Sequence, residues 1–417
     1  MSRVAVAGGG ASGMTAAVFA SRAGAQVTIF ERNDRVGKKL LMTGNGKCNL
    51  THENVTEKAF HTFSSPGFIA KVLDDFSAED TLAFFSGLGI HTRVRSGGIY
   101  PYPETASAVL DVLRMELKRL NVRLLTGRKV SGIKRDGQGR FFVNTVPRAG
   151  APEEPFDAVI LSCGGAAAPK TGSDGNGFDL AEALGLPVIK PLPALTMIKS
   201  SAPFFKGIAG VRAEASLKLI SEGRQLGYSR GELQLTDRGL SGICAFDLSG
   251  TAGREIDRGR ECTVVVNFLP DYDLPGAEAL LKNRFLSHPE RKAAENLTGL
   301  FHKQLNSLFL RLLGVSPEAP SKSMTEKNIS GLASFVTALS VPVTGVGDFS
   351  RAQITSGGVE LSSIGENFEV KSVPGLFITG ELLDADGICG GYNLQWAWSS
   401  GALAGMAAAG TGKKTGR

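Results

Sequence analysis

The chain has 417 residues, carries 46 Lys+Arg against 40 Asp+Glu for a formal net charge of +6, and contains 53 glycines, roughly twice the usual ~7% share. This length predicts two or three domains with ample buried core, while 42% hydrophobic and 21% charged residues without a G-X-Y period exclude collagen, low-complexity disorder and a coiled coil. Five scattered cysteines with no C-x-x-C pair argue against a disulfide framework or a zinc site; no metal is expected. No apolar run reaches the roughly 18 residues of a membrane span, and the N-terminal segment enters an apolar strand directly, which predicts a cytoplasmic protein without membrane attachment. Basic residues are dispersed, with no local cluster denser than Lys38-Lys39, a pattern that disfavours nucleic acid and leaves a small-molecule substrate as the expected partner.

Val4 to Ala7 reads as an apolar strand, Gly8-Gly9-Gly10-Ala11-Ser12-Gly13 as a turn, Met14 to Ala23 as a helix of small residues, and Gln26 to Phe30 as a second strand ending at Glu31. Gly8-x-Gly10-x-x-Gly13 after a strand and before a helix is a dinucleotide-binding fingerprint. Gly8 permits the turn, Gly10 lets amides approach a pyrophosphate, Gly13 brings helix and strand together, and the helix end adds partial positive charge. Glu31 stands where an acid meets the adenosine ribose. The chain has one such fingerprint, so one dedicated dinucleotide site, open at this point to NAD(P) or FAD. The residues after Glu31 favour FAD: Arg32 and the polar loop Gly37 to Thr51 replace the helix that a nicotinamide fold would place there, and Lys39 can counter a diphosphate.

Two short helical patterns fill Ser65 to Leu88. Ser96 to Pro103 is an aromatic, proline-fixed loop, and Ala106 to Leu120 is an amphipathic helix with Val109, Leu110, Leu113, Leu117 and Leu120 on one face. Val122 to Thr126 reads as a strand, Arg128 to Val146 as a hairpin around Asp136-Gly137-Gln138-Gly139, and Ala158 to Ser162 as a buried parallel strand running into Cys163-Gly164-Gly165. Cys163 reads as a small buried filler. Prolines 187, 191 and 193 open a β-rich segment over 187–270. Residues 276–313 and 325–338 are helical by spacing, with Leu297, Leu300, Phe301, Leu305, Leu308 and Leu312 as a core stripe. The chain closes on a short strand, Pro374 to Glu381, and a turn, Gly387 to Gly391, into a helix of small residues. There Glu381 can bond ribityl hydroxyls, and the amides at Gly391 to Leu394 can face the N1/C2 edge of a flavin. Twenty-five of the glycines fall in 1–46, 160–177 and 345–405; one ligand touched by all three segments explains that concentration.

GGGASGMTAA, GKKLLMTGNGKCNLT, LSCGGAAAPKTGSDGNG, GELQLTDRGLSG and GELLDADGICGGYNLQWAWSSG, in this order along essentially the whole chain, resemble the flavoprotein family that contains a bile-acid-inducible enoyl reductase and aminoacetone oxidase. The resemblance implies an α/β fold, with a Rossmann-like FAD-binding domain of the glutathione reductase type made of 1–190 and 341–417. A β-barrel-like domain at 191–270 and a helical domain at 271–340 would be inserted in it. Carried over by motif position, Gly8, Gly10, Ala11, Ser12, Gly13, Glu31, Arg32, Lys39, Gly46, Asn49, Gly164, Glu381, Gly391, Asn393 and Leu394 would line FAD, and the backbone of Val130 would meet adenine. The chain departs from the family pattern at Pro103, where many relatives carry serine, and at Asn367 to Lys371; both departures point to the substrate side or the domain seam.

The activity implied first is NAD(P)H-dependent reduction of a conjugated C=C in a 3-oxo steroid or bile-acid substrate, with an apolar pocket from the inserted segment. NAD(P)H would visit transiently, and Tyr392 and Tyr100 are the candidate donors to the substrate. An FAD-dependent oxidase of aminoacetone-type amines producing hydrogen peroxide fits the single fingerprint equally. An RNA-associated flavoprotein and a flavin redox sensor using Cys48 and Cys389 are the readings from other classes.

Overall fold

Short apolar runs with both faces covered build the parallel sheet. In the computed structural model, which describes residues 1–147 and 154–411, Arg3–Ala7 is the middle strand of a five-stranded parallel sheet. Its order is Leu376–Ile378, Ala158–Leu161, Arg3–Ala7, Gln26–Phe30, Arg123–Leu125. Val4, Ala5, Val6, Val159, Ile160 and Leu161 are all fully buried, as expected of a parallel sheet covered on both sides. Residue 376 lies far from residue 158 in sequence, so the last strand and the final helix return to the first domain.

The first helix, Ala11–Arg22, packs against the last, Tyr392–Met406. Their small residues set the spacing: a Cβ on Gly401 would lie 2.4 Å from the Ser12 carbonyl oxygen, and one on Gly405 would lie 2.4 Å from that of Ala16. The amphipathic helix Ala106–Arg119 buries Val109, Leu110, Leu113 and Leu117 as its spacing predicts. Ser77 and Asp80 form a capping box that starts the helix Ala78–Gly87.

The chain divides into two units, Met1–Leu192 with the residues from Phe349 onward, and Pro193–Asp348, each with its own hydrophobic core. The second unit is a seven-stranded antiparallel sheet, ordered Leu339–Val343, Cys262–Asn267, Arg212–Ser221, Arg224–Thr236, Gly239–Ser241, Ile198–Lys199, Gly345–Val346. Its helices Leu274–Ser287, Lys303–Leu312 and Glu326–Thr337 share a core with it, where Leu217, Val264 and Val266 meet Leu281, Phe309 and Leu332.

Three expectations change here. The segments 191–270 and 271–340, expected as separate domains, form one unit, because the sheet needs strands from beyond residue 338 and its apolar face needs the helices. The β-rich reading also missed a 15-residue helix, Ile243–Asp257. It follows Gly242, where φ is +91° and a Cβ would lie 2.4 Å from the Glu232 carbonyl oxygen. Cys244, Leu248 and Ala252, spaced by four, face the core; glycines and a threonine inside the helix hide that period. Finally, Leu312 is 38% exposed, because a new helix begins at Lys303 and turns its last residue outward.

Among the described residues no helix is long and apolar enough to cross a membrane, and no three His, Cys, Asp or Glu side chains are placed to hold a metal. Within the second unit, Phe268, Leu269, Leu300, Phe301 and Leu305 line a cleft of 280 Å³ that Arg212, Glu214 and Asp271 make partly charged.

Candidate cofactor and active site

The Gly8 to Gly13 turn is closed by backbone contacts that only hydrogen side chains permit. A Cβ on Gly13 would sit 2.0 Å from the Gly8 carbonyl oxygen, and one on Gly8, at φ +108°, would sit 2.4 Å from that of Ser162. Gly10 differs: nothing lies within 4 Å of its Cβ position. It caps the helix Ala11–Arg22 without a side-chain hydrogen bond, and no acidic residue occupies the first helical turn. A bare helix end with open space beside its cap is a cradle for an anion.

Glu31 is buried at the end of the second strand. Its Oε2 accepts the Gly9 amide at 2.8 Å, and its Oε1 accepts the backbone and side-chain nitrogens of Asn33 at 2.8 and 2.7 Å. Arg32 reaches the second glycine segment, pairing with Asp174 at 2.5 Å and donating to the Gly172 carbonyl at 3.3 Å. Gly164 takes φ +73° beside Ser173. The hairpin strand Lys129–Arg135 joins this cluster through the Val130 carbonyl, which accepts the Asn176 side-chain amide at 3.2 Å.

Glu381 binds the segments together. Its Oε1 accepts the Thr355 backbone amide and hydroxyl at 2.9 and 3.0 Å, and its Oε2 accepts Lys39 at 2.5 Å. Lys39, expected over a diphosphate, and Glu381, expected along a ribityl chain, thus form an ion pair with each other. A Cβ on Gly165 would lie 2.7 Å from Glu381 Oε1. Thr355, which the sequence reading missed, also accepts the amides of Ala166 and Ala167 at 2.8 and 3.2 Å. Its signal was the strand Ile354–Val359 with Gly357-Gly358 inside it.

The final helix starts at Gly391, φ +101°, whose absent Cβ would lie 2.8 Å from the Thr51 carbonyl oxygen and 2.9 Å from Asn49 Oδ1. Gln395 is the first amide bonded within the helix, to the Gly391 carbonyl at 3.0 Å, so the amides before it belong to the helix end. Asn393 clamps the preceding turn: its Oδ1 accepts the Gly387 amide and its Nδ2 donates to the Gly387 carbonyl, both at 2.8 Å. Leu394 is half-buried against the first core. Asn49 is buried with its Oδ1 lacking a hydrogen-bond partner among the described residues, and Gly46, φ +83°, precedes it in the loop.

Of the two candidate tyrosines, Tyr392 directly follows this turn as the first residue of the helix. Tyr392 is buried, its ring stacked on His52 at 5.1 Å and edge-on to Phe60. Tyr100 lies on the strand Gly98–Pro101, with its ring beside the Gly98 and Gly44 Cβ positions. Burial raises its phenol pKa, the negative charge of a Cys389 thiolate adds to this, and Lys47 opposes it. Burial pushes the Cys48 and Cys163 thiols up to about 12, far from the thiolate range of redox-active cysteines.

Residues 2–407 match the family described as HI0933-like protein Rossmann domain. The chain is 38% identical over 412 residues, 98% of its length and 99% of the relative's, to a 3-dehydro-bile acid delta(4,6)-reductase from Clostridium scindens. It is 27% identical over 398 residues, 95% of each protein, to a ribosomal RNA dihydrouridine synthase from Escherichia coli. Among solved structures, 3-ketosteroid delta1-dehydrogenase from Sterolibacterium denitrificans shares the fold, with a TM-score of 0.52 at 13% identity over 98% of this chain and 100% of that one. The parallel sheet, the glycine turn at its centre and the returning final helix are therefore those of a known lineage, and the chain belongs to the HI0933-like Rossmann family of FAD-dependent oxidoreductases.

Proposed function

We propose that this protein reduces a carbon-carbon double bond conjugated to a ketone in a 3-oxo steroid of the bile-acid type, using FAD and a transiently bound NAD(P)H. The likeness along 98% of the chain to the bile-acid delta(4,6)-reductase carries this reading. The residues present fit the cofactor. The bare helix end at Gly10 suits a diphosphate, buried Glu31 suits a ribose, and the orphaned Asn49 Oδ1 beside Gly391 offers a polar partner at the ring end. Ala11, Ser12, Gly13, Arg32, Lys39, Gly46, Gly164, Glu381, Asn393 and Leu394 would complete the cradle, with Val130 at the adenine.

When bound, FAD would supply the two electrons that saturate the double bond. The chain's part is to fix the enone and manage the proton. Tyr100 suits this: a phenol is already protonated at neutral pH and burial moves its pKa further up, so its hydroxyl can donate to the ketone oxygen or to the α-carbon. Tyr392 would hold the turn through its stack on His52 and present its hydroxyl as the second donor. The helix end at Gly391 to Leu394 stabilises negative charge gathered beside it.

The resemblance to the dihydrouridine synthase favours a second reading in which the target is an RNA uridine. The chemistry is shared, since uracil also carries a C=C conjugated to a carbonyl. Anaerobic incubation of the holoprotein with NADPH or NADH and a 3-oxo-Δ4 bile acid, an amine or a uridine-containing RNA separates these. The expected product is the saturated bile acid, two mass units heavier; reduction of the RNA alone, or amine-dependent peroxide in air without nicotinamide, would replace this reading.

A further inference from the structure

The second unit carries a cleft of 640 Å³ between the short helix Phe205–Ile208 and the helix Lys303–Leu312. Its walls are fixed to each other and to the core: Gln304 Nε2 donates to the Gly207 carbonyl at 3.1 Å, and Ile208 and Leu308 are buried members of the second core. Phe204, half-buried and packed on Phe205 with ring centroids 4.9 Å apart, and Leu312, 38% exposed, carry the apolar floor outward. The outward turn of Leu312 thus places it in the lining of a cleft, and the cleft has the size of a small-molecule site.

Lys303 and Arg311 line the same cleft and are both exposed. They lie along one side of their helix, eight residues and so about 12 Å apart. Neither makes an ion pair among the described residues, and no aspartate or glutamate lines the cleft. The 280 Å³ cleft of the same unit differs, because there Arg230 pairs with both Glu214 and Asp271, at 3.2 and 2.9 Å. Charge is compensated within the protein in that cleft, whereas here two cations beside an apolar floor are left for a ligand. The combination fits an amphipathic anion. Its apolar body would cover Phe204, Leu308 and Leu312, its carboxylate would meet the planar fork of Arg311, and Lys303 would add attraction along the cleft. None of the ten lining residues belongs to the cofactor cradle or the donor pair, and none carries a carboxyl, phenol, thiol or imidazole, so the cleft binds its ligand without reducing it.

We propose that this cleft is an accessory binding site for an acidic steroid, held by its carboxylate on Arg311 with its skeleton on the apolar floor. The choice of ligand rests on the reductase reading above; the match to an amphipathic anion does not. A rigid skeleton loses little freedom on lying in an open cleft, which favours a steroid over an alkyl chain of the same charge.

The test titrates the oxidised holoprotein with the saturated 3-oxo bile acid, below the concentration at which it forms micelles. Calorimetry reads all binding, and flavin absorbance reads binding beside the cofactor. Calorimetry should count one acid per chain that leaves the flavin spectrum unmoved. Arg311→Met should weaken this component about fivefold, the size of an exposed ion pair of about 1 kcal/mol, and added salt should do the same. Leu312→Ser should weaken it about threefold at every salt concentration. The methyl ester should bind wild type and Arg311→Met alike, and dodecanoate should bind about threefold more weakly than the steroid acid, or worse. Absence of a flavin-silent component, or one that Arg311→Met leaves unchanged, would overturn the proposal. So would dodecanoate binding as tightly as the steroid, or co-sedimentation with phosphatidylserine vesicles that Arg311→Met abolishes, which would assign the face to a membrane surface. The two readings fail separately. A flavin-silent acid on a protein that reduces no enone ends the reductase reading and keeps the site, while enone reduction without that component does the reverse.

Discussion

Glycine does different work in the two units. In the first, the Cβ positions of Gly8, Gly401 and Gly405 stand 2.4 Å from carbonyl oxygens of distant segments, and that of Gly13 stands 2.0 Å from the Gly8 carbonyl oxygen across its own turn. In the second unit, Gly210, Gly223, Gly259 and Gly314 sit in turns with nothing within 4 Å of a Cβ position. Gly239 and Gly242, packed on the Ile198 and Glu232 carbonyls, are exceptions that hold the sheet and start a helix. A high glycine count therefore marks two physical situations: close backbone approach between packed segments, and ordinary turn geometry.

The sharpest way to break this contrast is a methyl group at Gly13. Gly13→Ala places a carbon inside the Gly8 carbonyl's contact radius, and no flexible side chain is there to yield. The purified variant should contain less than about a tenth of the wild-type flavin, a loss of about 1.4 kcal/mol or more in binding; full flavin content would show that the turn relaxes at no cost.

A smaller effect separates the buried carboxylates of the two units. Glu116 is tied by Arg119 on its own helix and by Arg22 on the first helix, 94 residues away, which hold its pKa at about 2. Glu255 is tied by Arg258 and Arg260, three and five residues away. Because the folded pKa of Glu116 is depressed, its contribution is present above the unfolded carboxylate range near 4.5 and is lost as pH falls from there towards 2. Glu116→Gln should cost about 1–2 kcal/mol at pH 7, discounted for solvent screening of the pair, and progressively less below pH 4.5. Glu255→Gln should cost less at every pH. Urea denaturation across pH checks both, and a pH-independent loss at Glu116 would remove the ion pairs as its cause.

At the small end, Gly259→Ala meets no neighbouring atom and only opposes φ +76°. It should cost about 1 kcal/mol of stability and leave the flavin content unchanged.

What was legible in the sequence was local. The strand, turn and helix of residues 3–22 follow from apolar runs and the glycine spacing, and Val109, Leu110, Leu113 and Leu117 face the core because their period is helical. Even the return of the final helix could be anticipated, since its small residues allow close packing. Pairings across distance were not legible. Lys39 meets Glu381 over 342 residues and Thr355 caps the same carboxylate, so no window of sequence contains both partners. The helix Ile243–Asp257 was hidden for another reason: its interior glycines and threonine weaken the apolar period that its buried residues would otherwise show.

The most direct test of the central claim is the oxidation of reduced enzyme. Holoprotein whose flavin has been photoreduced under strict anaerobiosis is mixed with a 3-oxo-Δ4 bile acid, and the flavin absorbance near its visible maximum is followed. The yellow colour should return with one equivalent of saturated product per flavin. Flavin that stays bleached with the bile acid, yet reoxidises on admitting oxygen with release of hydrogen peroxide, would contradict the assignment as a reductase.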